Sequence, residues 1–334
     1  MSLKPVLLIG GSGVFGSRIA RLLRTRNPDL PLIIGGRDIG KARALADGLG
    51  NADGVAVDLS KPSLGLEQSE FSAVGLIAYD PTSNAMNFAA RNGAPFLCIT
   101  GGVFEFAVDA IPGMAAGHKV PVVIASHWFA GAVTMATLSL AERFASIDRV
   151  HVEFIIDSVE GSSAGPTTAA DFVRIAANAP SAVMRRNGEY VWVPNDQAGG
   201  VIRRPDGGEM HGGGSVSCDV LSIGAWTGAR DISILEGIGL SATRAAGGPA
   251  TDELYIRLSG RGPDGGPLEV SQIVTCPRDP STFTVISADI ILERLAGLAG
   301  GPLLAPGLYT VEHAVQPAFF VQRMAEEGVV FHDA

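Results

Sequence analysis

VLLIGGSGVFGSRIARLL, residues 6–23, decides how the rest of the chain is read. Residues 6–9 are an unbroken apolar run, the pattern of a strand covered on both faces. The run stops at glycines. From Val14 onward Phe15, Ile19, Leu22 and Leu23 recur at helical spacing, with Arg18, Arg21 and Arg24 between them. The junction, Gly11-Ser12-Gly13-Val14-Phe15-Gly16, fits G-x-G-x-x-G. Between a strand and a helix, the first glycine permits a tight turn and the second lets a pyrophosphate approach the backbone. The third lets helix and strand pack closely. The helix start adds free N–H groups and partial positive charge. A glycine-rich turn with no ligand is the alternative; the alternating elements that follow favour a nucleotide.

Asn27-Pro28 closes the first helix. Strands are predicted at 30–34, 54–57, 74–78, 95–99 and 120–125, with helices at 41–49 and 84–91. Such alternation means βαβ units and a doubly wound parallel sheet. Beyond residue 126 the rhythm changes to a strand at 150–156, a helix at 167–177 and a hairpin at 182–193 turning at Asn187-Gly188. A second hairpin brackets Asp264-Gly265-Gly266, and helices are predicted at 288–298 and 311–327. The glycine-rich stretch 199–215 reads as a mobile loop, either a lid or a hairpin tip. The fold class is therefore α/β, a Rossmann sheet followed by an α+β part with antiparallel strands.

With 334 residues, 46% of them apolar and 18% charged, the chain is globular and long enough for two domains. A net charge of -9 without basic runs argues against nucleic acid or an anionic membrane as partner. Cys98, Cys218 and Cys276 form no pair motif, which suits a reducing cytoplasm. Neither a signal-peptide pattern nor a spanning apolar run is present, so a soluble cytoplasmic protein is expected.

At the end of the second strand, NAD sites place an acidic residue for the ribose, whereas an Arg there accommodates the 2′-phosphate of NADP. Here Arg37 comes first and Lys41 follows a turn later. An Arg–phosphate fork is worth about 1.5–3 kcal/mol, which favours NADP about tenfold or more. Asp38 argues the other way, and Arg37 could instead pair with Asp38 or Asp58. NADP is preferred, and NAD stays open.

VLLIGGSGVFGSRIARLL, IIGGRDIGKARALA, VAVDLS, FLCITGG and GPLLAPGLYTVEHAVQPAFFVQRMAEEGVVF resemble the saccharopine dehydrogenase-like (saccharopine reductase) family of oxidoreductases. The resemblance covers the first 125 residues well and the last 30 more loosely. It implies an NAD(P)-binding Rossmann domain at 1–125, a substrate and dimerisation domain at 126–305, and a segment, 306–334, returning towards the first. It puts Gly11, Ser12, Gly13, Val14, Phe15 and Gly16 on the pyrophosphate and Arg37 on the adenosine end. Asp58 and Leu59 would lie beside the adenine, Ala78, Tyr79 and Asp80 under the ribose and nicotinamide, and Thr100 and Gly101 at the nicotinamide edge. A homodimer is implied. Cys98 and Gly102 stand where the family's fifth strand carries Asp and Glu, which leaves the substrate open.

Hydride transfer asks side chains mainly for positioning and proton handling. His127, in SHWFAG, is the candidate proton carrier, with a structural histidine at a domain junction as the alternative. Cys98 fits a small buried residue and Asp80-Pro81 fits a turn. One or two of Arg174, Arg185, Arg186, Arg203, Arg204, Arg230 and Arg244 would suit a small, carboxylate-bearing substrate. No zinc-ligand spacing occurs, so no metal is expected. GSSAG at 161–165 matches G-x-S-x-G around Ser163, a weaker hydrolase alternative. The expected activity is hydride transfer at a C–N or C–O centre. A nucleotide-binding redox sensor or interaction module without turnover is the rival.

Overall fold

Val6–Ile9 forms β1, and all of it is buried because parallel neighbours lie on both sides. The computed structural model describes residues 3–67, 69–99, 101–157, 165–276 and 282–334. After β1 come β2 (Leu32–Gly36), β3 (Ala52–Ala56), β4 (Ala73–Leu76), β5 (Phe96–Cys98) and β6 (Pro121–Ile124). Helices Val14–Arg26, Ile39–Leu49, Asn84–Arg91 and Phe106–Gly117 alternate with them. The remaining strands are β7 (Ser146–Ile156), β8 (Ser181–Arg186), β9 (Glu189–Pro194), β10 (Gly200–Arg203) and β11 (Glu209–Gly214). They continue as β12 (Asp231–Ile238), β13 (Glu253–Arg261), β14 (Pro267–Thr275), β15 (Gly307–Tyr309) and β16 (Val330–Asp333).

The first sheet has the order β15-β6-β5-β4-β1-β2-β3, with every pairing parallel. This is the doubly wound Rossmann arrangement extended by β15. The strand order reverses between β1 and β4, and ligands bind in the crevice beyond the strand ends at such a switch point. The second sheet runs β10-β11-β12-β7-β13-β14-β16, with β8 joined to β12 and β9 to β8. Among the described residues its pairings are antiparallel except β12 with β7. The chain is α/β with a second, mixed sheet.

Several boundaries moved for identifiable reasons. β2 extends through Gly35 and Gly36, which a turn was expected to hold. A Cβ on Gly35 would fall 2.8 Å from Val57, and one on Gly36 2.6 Å from the Ser12 hydroxyl. These glycines serve close packing within the sheet. The 199–215 stretch is a hairpin, β10 with β11, and not a loop. The predicted helix at 311–327 is two, Val311–Ala314 and Pro317–Glu326, because Pro317 has no N–H to continue the ladder. Helix Ala132–Ala141 escaped prediction because it is buried almost all round and has no apolar stripe to detect.

Helix Thr282–Leu295 packs on helix Val14–Arg26 and on β4, where Gly75 leaves room for Leu292. It carries Asp289 and Glu293 into the core, and Arg26 reaches them at 3.7 and 3.5 Å. Arg26 also meets Glu326 at 3.5 Å and Glu327 at 3.2 Å, so it ties the first helix to the C-terminal one. Burial, then repulsion from Glu293, raises the Asp289 carboxyl well above its ordinary range; burial raises Glu293 too. Folded protein thus retains protons that unfolded chain releases, and stability falls as pH rises through the folded values. Arg26→Met should cost about 3–5 kcal/mol by leaving the buried Asp289 carboxyl without its cation, while Glu293 keeps Arg323. Urea unfolding should show a larger loss at about pH 8 than at about pH 5, as linkage requires; an equal loss at both would refute the network.

Candidate functional site

Gly10, at φ +83°, turns the chain out of β1, and its Cβ position lies 3.2 Å from the Ile77 carbonyl carbon beyond β4. A Cβ on Gly16 would overlap the Gly10 carbonyl oxygen and come within 2.6 Å of the Gly11 Cα. A Cβ on Gly11 would sit 2.7 Å from the Leu8 oxygen. The outer two motif glycines are therefore required by packing. At Gly13 the nearest obstruction is 3.2 Å away. Helix Val14–Arg26 starts with no side-chain cap and no acidic residue in its first turn. Among the described residues, no protein atom accepts from the N–H groups of Val14, Phe15 or Gly16. Unmet donors at a helix start are an anion site in electrostatic terms.

A cleft of about 1130 Å³ opens here, lined by Ser12, Gly13, Val14, Phe15 and Gly16, with Gly11 beneath as the turn. It passes Arg37, Asp38, Lys41 and Leu59 after β2 and β3. Asp38 accepts the Lys41 N–H at 3.1 Å and caps helix Ile39–Leu49, so its carboxylate has a structural use. Among the described residues Arg37 forms no ion pair. Asp58 does not line the cleft; hydrogen bonds from Ser60 hold its carboxyl below the usual range, and Lys61 lies 3.2 Å away.

Ala78, Tyr79 and Gly101 line the middle. Thr100 falls outside the described residues, as does Ser163. Asp80 is buried and caps helix Asn84–Arg91, accepting from the Ala85 N–H at 2.8 Å and from Thr82 Oγ1 at 2.6 Å. It is the turn former, set back from the cleft lining. Across from Tyr79 stands helix Gly165–Asn178, whose Arg174 guanidinium lies 3.7 Å over the tyrosine ring. Arg174 donates from Nε to Glu105 at 2.8 Å and also pairs with Asp171. Burial raises Glu105, but hydrogen bonds from Arg174 and Asn178 and the Arg174 charge prevail and hold it low. Nearby, burial, then Glu105 and Asp80, push Asp109 up to about 6.

The far end is built on a strained turn after β6. Phe129, Ala130 and Gly131 have φ of +53°, +51° and +106°, the left-handed region that costs non-glycine residues energy. Buried Asp219 holds it, accepting from the Trp128 backbone N–H at 2.8 Å, Thr134 Oγ1 at 2.6 Å and Ser217 Oγ at 2.5 Å. His127 belongs to the lining, yet its side chain is enclosed: Nε2 lies 2.8 Å from Ser222 Oγ and 3.9 Å from Glu312, and Nδ1 has no partner. Trp128, Phe172, Gly213 and Glu236 complete this end. Burial, then Asp219, push Glu236 up to about 8, against hydrogen bonding with Trp128 and Ser215.

Trp128 lay inside the SHWFAG segment and Gly213 inside the 199–215 stretch already singled out, but Phe172 and Glu236 carried no local signal. Of the candidate substrate arginines Arg174 alone lines the cleft, and it is already paired. Arg185 binds the Gly224 carbonyl, while Arg203, Arg204 and Arg244 pair with Glu209, Asp206 and Asp157. Cys98 is buried at the end of β5, as a small core residue. Among the described residues no His, Cys, Asp and Glu group is arranged to hold a metal, and no helix is long and apolar enough to cross a membrane.

No protein-family model matches the sequence, and no curated protein sequence matches it. Solved structures do match in fold. Apo saccharopine dehydrogenase (L-Glu forming) from Saccharomyces cerevisiae superposes with a TM-score of 0.70 at 11% identity, covering 99% of this chain and 100% of that one. Homospermidine synthase from Legionella pneumophila, solved in complex with NAD, gives 0.67 at 11% identity, covering 100% and 92%. The chain adopts a saccharopine dehydrogenase-like fold over its whole length.

Proposed function

We propose that this protein is an NADP-preferring oxidoreductase that moves a hydride at a C–N or C–O centre of a small molecule. The observation that carries this reading is the uncapped helix start, whose free N–H groups face a cleft at the switch point of a parallel sheet. The Legionella homospermidine synthase, similar in fold, holds NAD, which supports a nicotinamide dinucleotide here. Such a dinucleotide, when bound, supplies or takes up the hydride. The main chain of Val14 to Gly16 would hold its pyrophosphate, and Arg37 with Lys41 the 2′-phosphate. Trp128, Phe172 and Tyr79 would offer aromatic faces to the bound molecules. His127, the proposed proton carrier, would exchange its proton through Ser222, which its Nε2 meets at 2.8 Å, since its ring is enclosed. A substrate carboxylate, expected from the resemblance, finds Arg174 already neutralised. The scattered Cys98, Cys218 and Cys276, which form no pair motif in the sequence, suit a cytoplasmic setting. Tyr190 and Trp192, exposed two residues apart on β9 of the second sheet, support a homodimer through that strand face.

Titration with NADPH and NADH, followed by nicotinamide fluorescence, should show tighter NADPH binding. Arg37→Ala should weaken NADPH about tenfold or more and leave NADH nearly unchanged; tighter NADH, or equal losses, would remove the 2′-phosphate role. His127→Ala should abolish turnover of an active substrate while dinucleotide binding persists, and intact turnover would take His127 out of the chemistry. Light scattering after size exclusion should give a dimer that Trp192→Glu dissociates; a monomeric wild type would overturn the interface.

A further inference from the structure

β12 places Glu236 directly across from Gly213 of β11 and Phe154 of β7. Side chains paired across strands share a face. On that face Gly213 contributes nothing, and a Cβ there would meet no atom within 4 Å. Open space therefore adjoins the Glu236 side chain on one flank. On the other, Phe154 packs against Trp128 with ring centroids 4.9 Å apart, and Trp128 stacks on Phe172 at 6.0 Å and 30°. Trp128, Phe172, Gly213 and Glu236 all line the cleft. Glu236 is partly buried as a residue, yet its Oε2 is closed off and has no hydrogen-bond partner. A buried acceptor left unmet is costly, and a ligand donor would relieve it.

Charge selects the donor. The arginine and lysine side chains of the lining are Arg37 and Lys41, both at the β2 end, and Arg174, already paired with Glu105 and Asp171. Among the described residues, an incoming carboxylate would meet no uncommitted guanidinium beside Glu236. An alkylammonium would meet a carboxyl and two aromatic faces, the surroundings that attract a cation.

We propose that this end of the cleft is an amine site, in which Glu236 receives the amino group of a small aliphatic amine whose carbon chain lies against Trp128 and Phe172. The assignment names the substrate class of the oxidoreductase reading and rests on it. The groups facing Glu236 are Asp219 from helix Asp219–Thr227, Trp128 from the turn after β6, and Ser215. β11 presents glycines and β7 presents Phe154. Asp219 repulsion and burial keep the empty site protonated near neutrality, with Glu236 at about 8. A bound ammonium favours the carboxylate, so binding at about pH 7 releases a proton.

Calorimetric titration of the full chain with butylammonium chloride, and separately with sodium butyrate, tests this with and without saturating NADPH. Butylammonium should bind, butyrate should not, and heats in buffers of different ionisation enthalpy should report close to one proton released per amine. Glu236→Gln should weaken butylammonium about tenfold or more and abolish the release, while dinucleotide binding persists. Gly213→Val, which fills the space and leaves the carboxyl in place, should also exclude the amine. Butyrate binding more tightly, or unchanged affinity in both variants, would overturn the amine site. Absence of dinucleotide binding with amine binding intact would instead overturn the oxidoreductase reading alone.

Discussion

The contact on which the molecule depends is the approach of helix Val14–Arg26 to the end of β1, where Gly16 lies against the Gly10 carbonyl with no space for a single methyl group. Backbone contact at that point fixes the helix axis relative to the sheet. It also brings the helix start to the strand order reversal, so its unmet N–H groups face a crevice and not the flank of a neighbouring strand. The same helix then carries Arg26 to the carboxyls of helix Thr282–Leu295, which couples the two ends of the chain.

A second constraint acts at the opposite end of the cleft. Left-handed backbone at Phe129 and Ala130 is unfavourable by itself and persists because its surroundings over-determine it. Asp219 supplies one fixed point through the Trp128 N–H. Val311 supplies another, since its side chain would collide with any Cβ on Gly131. The consequence is an indole displayed to the cleft from a rigid support, the arrangement a binding surface needs more than a flexible loop does.

Local chemistry made much of this legible in the sequence. The apolar run 6–9, the glycine spacing and Asn187-Gly188 each act over a few residues, and the corresponding strand, turn and hairpin are where they were expected. Asp80 was readable as a turn former for the same reason. The far end of the cleft was not legible, because Glu236 gains its character from residues remote in the chain. Gly213 leaves the space, Phe154 and Trp128 supply the wall, and Asp219 supplies the repulsion. Arg174 illustrates the converse. Its position in the cleft agreed with a substrate-binding arginine, but Glu105 and Asp171 had already claimed it.

Those pairings change what the cleft can select. The β2 end of the cleft carries Arg37, Lys41 and a helix start, groups suited to an anion such as the proposed dinucleotide. Were the other end also cationic, it would compete for the same phosphates and draw the dinucleotide into the substrate space. Pairing Arg174 with Glu105 and Asp171, and placing on β12 a carboxyl that burial keeps protonated near neutrality, leaves the anion-attracting groups of the described lining at the β2 end. Trp128 and Phe172, beside Glu236, lower the local dielectric there, so that a charge arriving at this carboxyl is felt more strongly than it would be in water.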